Sequence, residues 1–219
     1  FILPKFLSIN SYAEIKTFQL YVSYIGLLHF GYVDALYLLY GGQEINKIDK
    51  DSLKENLSTF QVFQVIVTII SIGIGVVLKN NLMLAFSISI IPSNMLSFYQ
   101  CIYQASGEFA LYGKIINSTT VSYFILNMIL IFFLHQDNPY LYIGVIIVVN
   151  YCVCMILMRN AWKKQKIRFE IKSVNLKLIL YNVKNGISLT LGNLSSIFLT
   201  GMDRWFVKTL MNNIAFAQY

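Results

Sequence analysis

From Thr59 to Leu78 the chain runs for twenty residues without one Asp, Glu, Lys or Arg, built mostly of Ile and Val with Gly73 and Gly75 among them. A helix of that length crosses the hydrocarbon core of a bilayer, about 30 Å thick. The rest of the sequence agrees. Only 12% of its 219 residues are charged and 57% are hydrophobic, with mean hydropathy +0.61, whereas a soluble domain carries about 25% charged residues. Twenty-seven charged side chains cannot cover a soluble surface of this size. At roughly 20 residues per span plus loops the length accommodates about six helices. The expected fold is all-α, a polytopic membrane helix bundle.

A first long helix is expected from Ser11 to about Gly41, over-long for one straight span, with Gly26 and Gly31 as flex points and Asn10-Ser11 as its N-cap. Residues 43–58 are charged and read as a solvated loop or surface helix before the Thr59 span. Leu82 to Tyr112 reads as a second over-long helix, kinked at Pro92, with a polar stripe of Asn94, Gln100, Gln104 and Glu108. Lys114 to Thr120 reads as a link, Val121–Leu134 and Tyr140–Met158 as a hairpin turning at 135–139. A polar-faced helix follows from Leu176 to Thr200, and Gly201-Met202-Asp203-Arg204 opens the next connection.

Between Arg159 and Lys177 stand seven Lys or Arg residues against one acid, Glu170. In a membrane protein such clusters mark the cytoplasmic side, so nucleic-acid binding is not expected despite the net charge of +7. Residues 42–58, the Lys114 link and 159–177 together hold eleven basic residues, the alternate connections at 79–81 and 135–139 only one. The first set is therefore assigned to the cytoplasm, and the chain begins at the outer face. Its abrupt start and end suggest a piece of a longer polypeptide.

Ionisable groups inside spans are costly and are the first functional candidates. Asp34 and Glu108 lie toward the cytoplasmic ends of their helices, Asp203 and Arg204 toward the outer side, and a guanidinium suits a pyrophosphate through paired donors. An ion pair with Lys114 is the plain alternative for Glu108. His29 is a titratable imidazole within a span. Asn94, Gln100, Asn127 and Asn150 fit hydrogen bonds between helices as well as they fit a passage for sugars. Cys101, Cys152 and Cys154 lack redox or zinc spacing and read as small buried hydrophobes. No metal, cofactor, phosphate-binding loop or catalytic constellation is expected, and the chain is read as not an enzyme.

Pro4-Lys5-Phe6-Leu7-Ser8, Ser11-Tyr12-Ala13 and the run from Gly31 to Gly42, GYVDALYLLYGG, resemble the N-terminal region of bacterial polysaccharide-biosynthesis flippases. GMDRWFV at 201–207 and AFAQY at 215–219 are similar to the connection after the seventh helix of those proteins. The resemblance is to the oligosaccharide flippases of the multidrug/oligosaccharidyl-lipid/polysaccharide exporter superfamily. It implies the N-terminal lobe of a two-lobe exporter over 1–158, a basic cytoplasmic inter-lobe linker over 159–177, and the start of a second lobe over 178–219. It also implies movement of undecaprenyl-pyrophosphate-linked oligosaccharide from the inner to the outer leaflet of the bacterial inner membrane. The implied partners are the lipid-linked oligosaccharide, membrane lipids and a proton or sodium ion, with Asp34, Glu108, Asp203 and Arg204 on the pathway. Leu39 stands where such proteins often carry Arg, and Ala13 where they often carry Gly. A cation-coupled multidrug exporter would want acids deep in the lobe, and a membrane glycan polymerase or ligase would want a large external loop.

Overall fold

Several of the helices begin where a side chain satisfies the first free N–H groups. Asp49 accepts from the N–H groups of Asp51 and Ser52, and the helix it starts, α4, runs Lys50–Val77. Of the charged stretch 43–58, residues 43–49 form the expected loop, while from Lys50 on it is the opening of the spanning helix. Its Leu53, Asn56 and Leu57 are buried, which the charge pattern concealed. Asn80 accepts from Met83 N–H and starts α5, Asn81–Ala105. In α5, Pro92 cannot donate to the Ile88 carbonyl. The Tyr151 hydroxyl donates to that oxygen instead, at 3.1 Å.

The helix expected to continue to Tyr112 stops at Ala105. Gly107 adopts φ 75°, a left-handed turn that ends it, and α6 occupies Phe109–Phe132. Lys114 to Thr120, expected as a link, lies inside α6. The turn at 135–139 follows, and α7 covers Pro139–Gln165, with Asn138 accepting from Tyr140 N–H and Pro139 in the first helical position.

The first long helix is broken. After the short α1, Leu3–Phe6, α2 runs Ile9–Ser23 with Ser8 as its cap rather than Asn10-Ser11, a 3₁₀ turn covers Ile25–His29, and α3 runs Tyr32–Tyr40. The two halves bend by 60°. The break falls at Phe30 and Gly31, both at positive φ (50° and 86°), so of the two expected flex points Gly31 is the one that bends the chain. A second 3₁₀ turn, Ile171–Ser173, leads to α8, Leu176–Leu210. Its 35 residues amount to about 52 Å of helix. Gly201 to Arg204 lie inside it and open no connection.

The computed structural model describes residues 3–165, 167–211 and 216, and among them there is no strand. The AFAQY segment lies outside the described residues apart from Phe216. Helices α4, α5, α6 and α7 are each long and apolar enough to cross a membrane, and the bent α2–α3 pair makes a fifth candidate. α5 is central, packing on α3, α4, α6 and α7. Tyr32, Phe60 and Phe98 form a buried ring stack with centroids 5.0 and 5.5 Å apart.

Polarity is distributed as lipid requires. Ile69, Ile70, Phe124 and Val148 face outward, while Gln64, Ser87 and Asn94 are fully buried. Asn94 Nδ2 donates to Gln64 Oε1 at 2.7 Å, Ser71 and Ser87 share a 2.7 Å bond, and Asn150 Nδ2 donates to Ser93 Oγ at 3.3 Å. Such bonds between helices replace the water that hydrocarbon cannot supply. The protein is a multi-pass membrane helix bundle. Cys101 and Cys154 are buried as expected, but Cys152 is exposed on α7.

Candidate functional site

α8 runs antiparallel to the bent α2–α3 unit, and the seam between them holds three of the four candidate side chains. Its tightest point is a meeting of two glycines. A Cβ on Gly186 would fall 1.9 Å from the Gly31 carbonyl oxygen and 2.6 Å from Ala35 N. Backbone packs directly on backbone here, so only glycine fits at 186. This contact also explains why α3 starts at Gly31: its positive φ turns the chain so that α3 lies along α8.

One turn further along each helix stands Asp34. It is half-buried, and the Thr190 hydroxyl donates to its Oδ2 while Asn193 Nδ2 donates to Oδ1 at 3.4 Å. Both carboxylate oxygens thus take donors from α8. Toward the basic end of the seam, Asn182 Nδ2 donates to Asn56 Oδ1 at 2.8 Å, and Tyr32 donates its hydroxyl to Asn56 as well. Asn56 Nδ2 in turn donates to Tyr40 Oη and to the Ser52 carbonyl. Beyond it Asn175 donates to Glu55 at 2.9 Å, and Lys54 pairs with Glu170 at 2.6 Å. The Lys54 ammonium beside Glu170 holds that carboxyl below its ordinary range.

Beside Asp34 a cavity of about 470 Å³ opens between α3, α5, α6 and α8. His29, Asp34, Gln100, Gln104 and Asn193 give it a polar lining, with Tyr37 and Tyr112 at its wall. His29 is buried and its Nδ1 accepts from Gly31 N–H at 3.1 Å. In the neutral ring the proton therefore sits on Nε2. The arrangement offers donors and acceptors, with aromatic faces, to a polar guest.

Asp203 and Arg204 lie at the other end of the seam. They line a second cavity, of about 420 Å³, with Lys16, Gln19, Leu20 and Phe216. Arg204 is eleven residues beyond Asn193, about 16 Å along the helix. Here α8 touches α2 through rings: Trp205 stacks on Tyr21 at 6.2 Å and meets Tyr24 at 5.9 Å. Lys16 and Arg204 repel one another across this cavity, and Asp203 accepts from Arg204 N–H at 2.7 Å. The two cations, Lys16 and Arg204, outnumber the one acid, Asp203, and with Gln19 beside them suit an anion.

Glu108 joins neither group. It is half-buried just before α6, its side chain caps no helix N–H, and no ion pair with Lys114 forms among the described residues. Of the uncharged polar residues, Asn94 and Asn150 serve helix packing, whereas Gln100 lines the Asp34 cavity. Sequence reading missed Tyr37, Tyr112 and above all Gly186. A lone glycine inside a helical stretch was the available signal for the last, but not its partner. No family model, curated protein or solved structure matches the chain.

Proposed function

We propose that the protein is a flippase that moves undecaprenyl-pyrophosphate-linked oligosaccharide units across the bacterial inner membrane for surface polysaccharide synthesis. The observation that carries this reading is the polar cavity at His29, Asp34, Gln100, Gln104 and Asn193, set in a bundle with an apolar exterior. Oligosaccharide hydroxyls need paired donors and acceptors to leave water, and amide side chains provide both. A second support is the cavity at Lys16 and Arg204, whose charge suits the pyrophosphate. In this reading the headgroup travels along the seam between α2–α3 and α8 while its lipid tail stays in the bilayer. Opening the basic end requires α8 to leave Asp34 and Asn56, so Asp34 is a gate residue.

A cation-coupled drug exporter of the same superfamily is the second reading, and the acid in the Asp34 cavity favours it. Both oxygens of that acid already accept from Thr190 and Asn193, which weighs against a free cation site. The test is the fate of lipid-linked repeat units in cells that lack the full-length gene. Units should accumulate on the cytoplasmic face, be cleared by the wild-type gene, and remain with Asp34→Asn. Intact surface polysaccharide with no accumulation, in a strain without another flippase, would overturn the proposal.

A further inference from the structure

Between α4, α5 and α7 the bundle leaves an apolar groove of about 520 Å³. Val62, Ile66, Ile91 and Met155 line it, and Met158 and Phe169 close its basic end. On α7 it reaches from Tyr151 to Met158, about 10 Å, a depth suited to a leaflet of about 15 Å, half the hydrocarbon core. Met158 and Phe169 also line a second cavity, of about 310 Å³, directly beyond. That one carries Arg159, Arg168 and Tyr99. The Tyr99 side chain is almost wholly buried, and its hydroxyl has no hydrogen-bond partner among the described residues. Arg168 spends its Nε on Glu170 at 3.3 Å, which leaves the other guanidinium nitrogens.

The two cavities together have the shape of an amphiphile: an apolar slot open to lipid, ending in two cations and an unused buried donor. We propose that this composite site holds one anionic phospholipid of the leaflet on the basic side, with its phosphate among Tyr99, Arg159 and Arg168 and one acyl chain in the groove. The charge match selects an anionic head, since guanidinium groups bind phosphate through paired donors. The apolar floor around that head, Leu57 and Ile167, offers no side-chain hydrogen bond to a sugar, which favours a phospholipid over a sugar-bearing lipid. The site sits where the basic run 159–177 leaves the membrane, and it turns a diffuse attraction between that run and the leaflet into a specific one. The proposal rests on the membrane-spanning fold alone and stands whether or not the protein is a flippase.

Native mass spectrometry of the full chain in mild detergent tests it, with phosphatidylglycerol and phosphatidylcholine of the same acyl chains as probes. One phosphatidylglycerol should be retained per chain, and about tenfold or more weaker by Arg159→Gln/Arg168→Gln, as expected when two basic groups are removed at a membrane surface. Tyr99→Phe should weaken retention less. Met155→Trp, at a position already open to lipid, should fill the slot and displace the lipid while both arginines remain. Glycerol phosphate, which has the head without the chain, should not compete. Equal retention of both lipids, full retention by the double Arg variant, or displacement by glycerol phosphate would each overturn the proposal. Displacement of phosphatidylglycerol by equimolar undecaprenyl phosphate would overturn the assigned occupant.

Discussion

The two ends of the α8 seam are held in different ways. Toward the basic end, glycine meets glycine, and Asn56, Tyr32, Tyr40 and Asn182 bond to one another in a buried network. Toward the other end, α8 rests on the rings of Tyr21 and Tyr24 through Trp205, beside a cavity with Lys16 and Arg204. Directional bonds and close packing register one end to within a fraction of an ångström, whereas ring stacking tolerates sliding. The conformation seen is thus locked on one side and only propped on the other. Under the proposed function, alternating access would require the bonds of the locked end to be exchanged for others.

The largest effect should come from Gly186→Ala. Its methyl group meets backbone atoms of α3 that cannot rotate away, and overpacking of this kind costs about 1–3 kcal/mol or more. In a chain of this size that lowers the thermal midpoint by several degrees, at about 2–4 °C per kcal/mol. Gly192→Ala, on the same helix with no atom within 4 Å of its added Cβ, should leave the midpoint unchanged or slightly higher. Equal responses from the two would mean that the glycine contact does not hold the seam. Asn182→Leu should follow, at about 1–3 kcal/mol, because it leaves the buried Asn56 carbonyl oxygen with one donor fewer. Thermal unfolding in detergent reads both.

At the propped end, Trp205→Ala should cost no more, about 0.5–1.5 kcal/mol for each of its two aromatic pairs. Its clearer signature is accessibility. A cysteine placed at Gln19, in the cavity wall, should react faster with a water-soluble maleimide in the Trp205→Ala background than alone. The same substitution should leave labelling of a cysteine placed at Gln104, in the Asp34 cavity, unchanged. If both sites respond alike, the two ends are coupled and the distinction between them fails.

Much of this bundle is legible in the sequence because hydropathy sets helix existence over long runs: the spans of α4, α5 and α7 and the turn at 135–139 stand where composition puts them. Boundaries are less legible. Burial of Leu53 and Leu57 pulls the start of α4 into a charged stretch, and Gly107 ends α5 in a run whose polar spacing still looks helical. The site is half legible. Asp34 stands out as a charge in a span, but its partners Thr190 and Asn193 lie more than 150 residues away, and pairing at that separation leaves no trace in local pattern. Asp203 and Arg204 read as part of a connection, yet the helix continues through them. Gly201 lies under the Tyr24 hydroxyl, 3.1 Å from where a Cβ would be.

The smallest expected effect concerns a third tie, at the turn between α6 and α7, and extends the contrast to pH. Asp137 accepts from Ser8 N–H at 2.7 Å, joining the start of α2 to the turn between α6 and α7. That N–H holds the Asp137 carboxyl below its ordinary value. A group whose pKa is lowered by folding stabilises the fold above its unfolded pKa, and the contribution is lost as pH falls through the lowered value. The tie should therefore be intact at neutral pH and released only in acid below the usual carboxylate range, about 4. The core of the α8 seam around Asn56, built of Asn, Tyr, Ser and backbone, has no acid among its hydrogen-bond partners and should not follow. Hydrogen exchange of Ser8 N–H should accelerate on acidification beyond its intrinsic pH dependence, while Asn56 N–H keeps its protection. Asp137→Asn retains an acceptor oxygen but cannot titrate, so it should abolish the extra acceleration and nothing else. Loss of Asn56 protection at the same pH would show instead that acid opens the seam itself, through Glu170, and that the basic end is the more labile of the two.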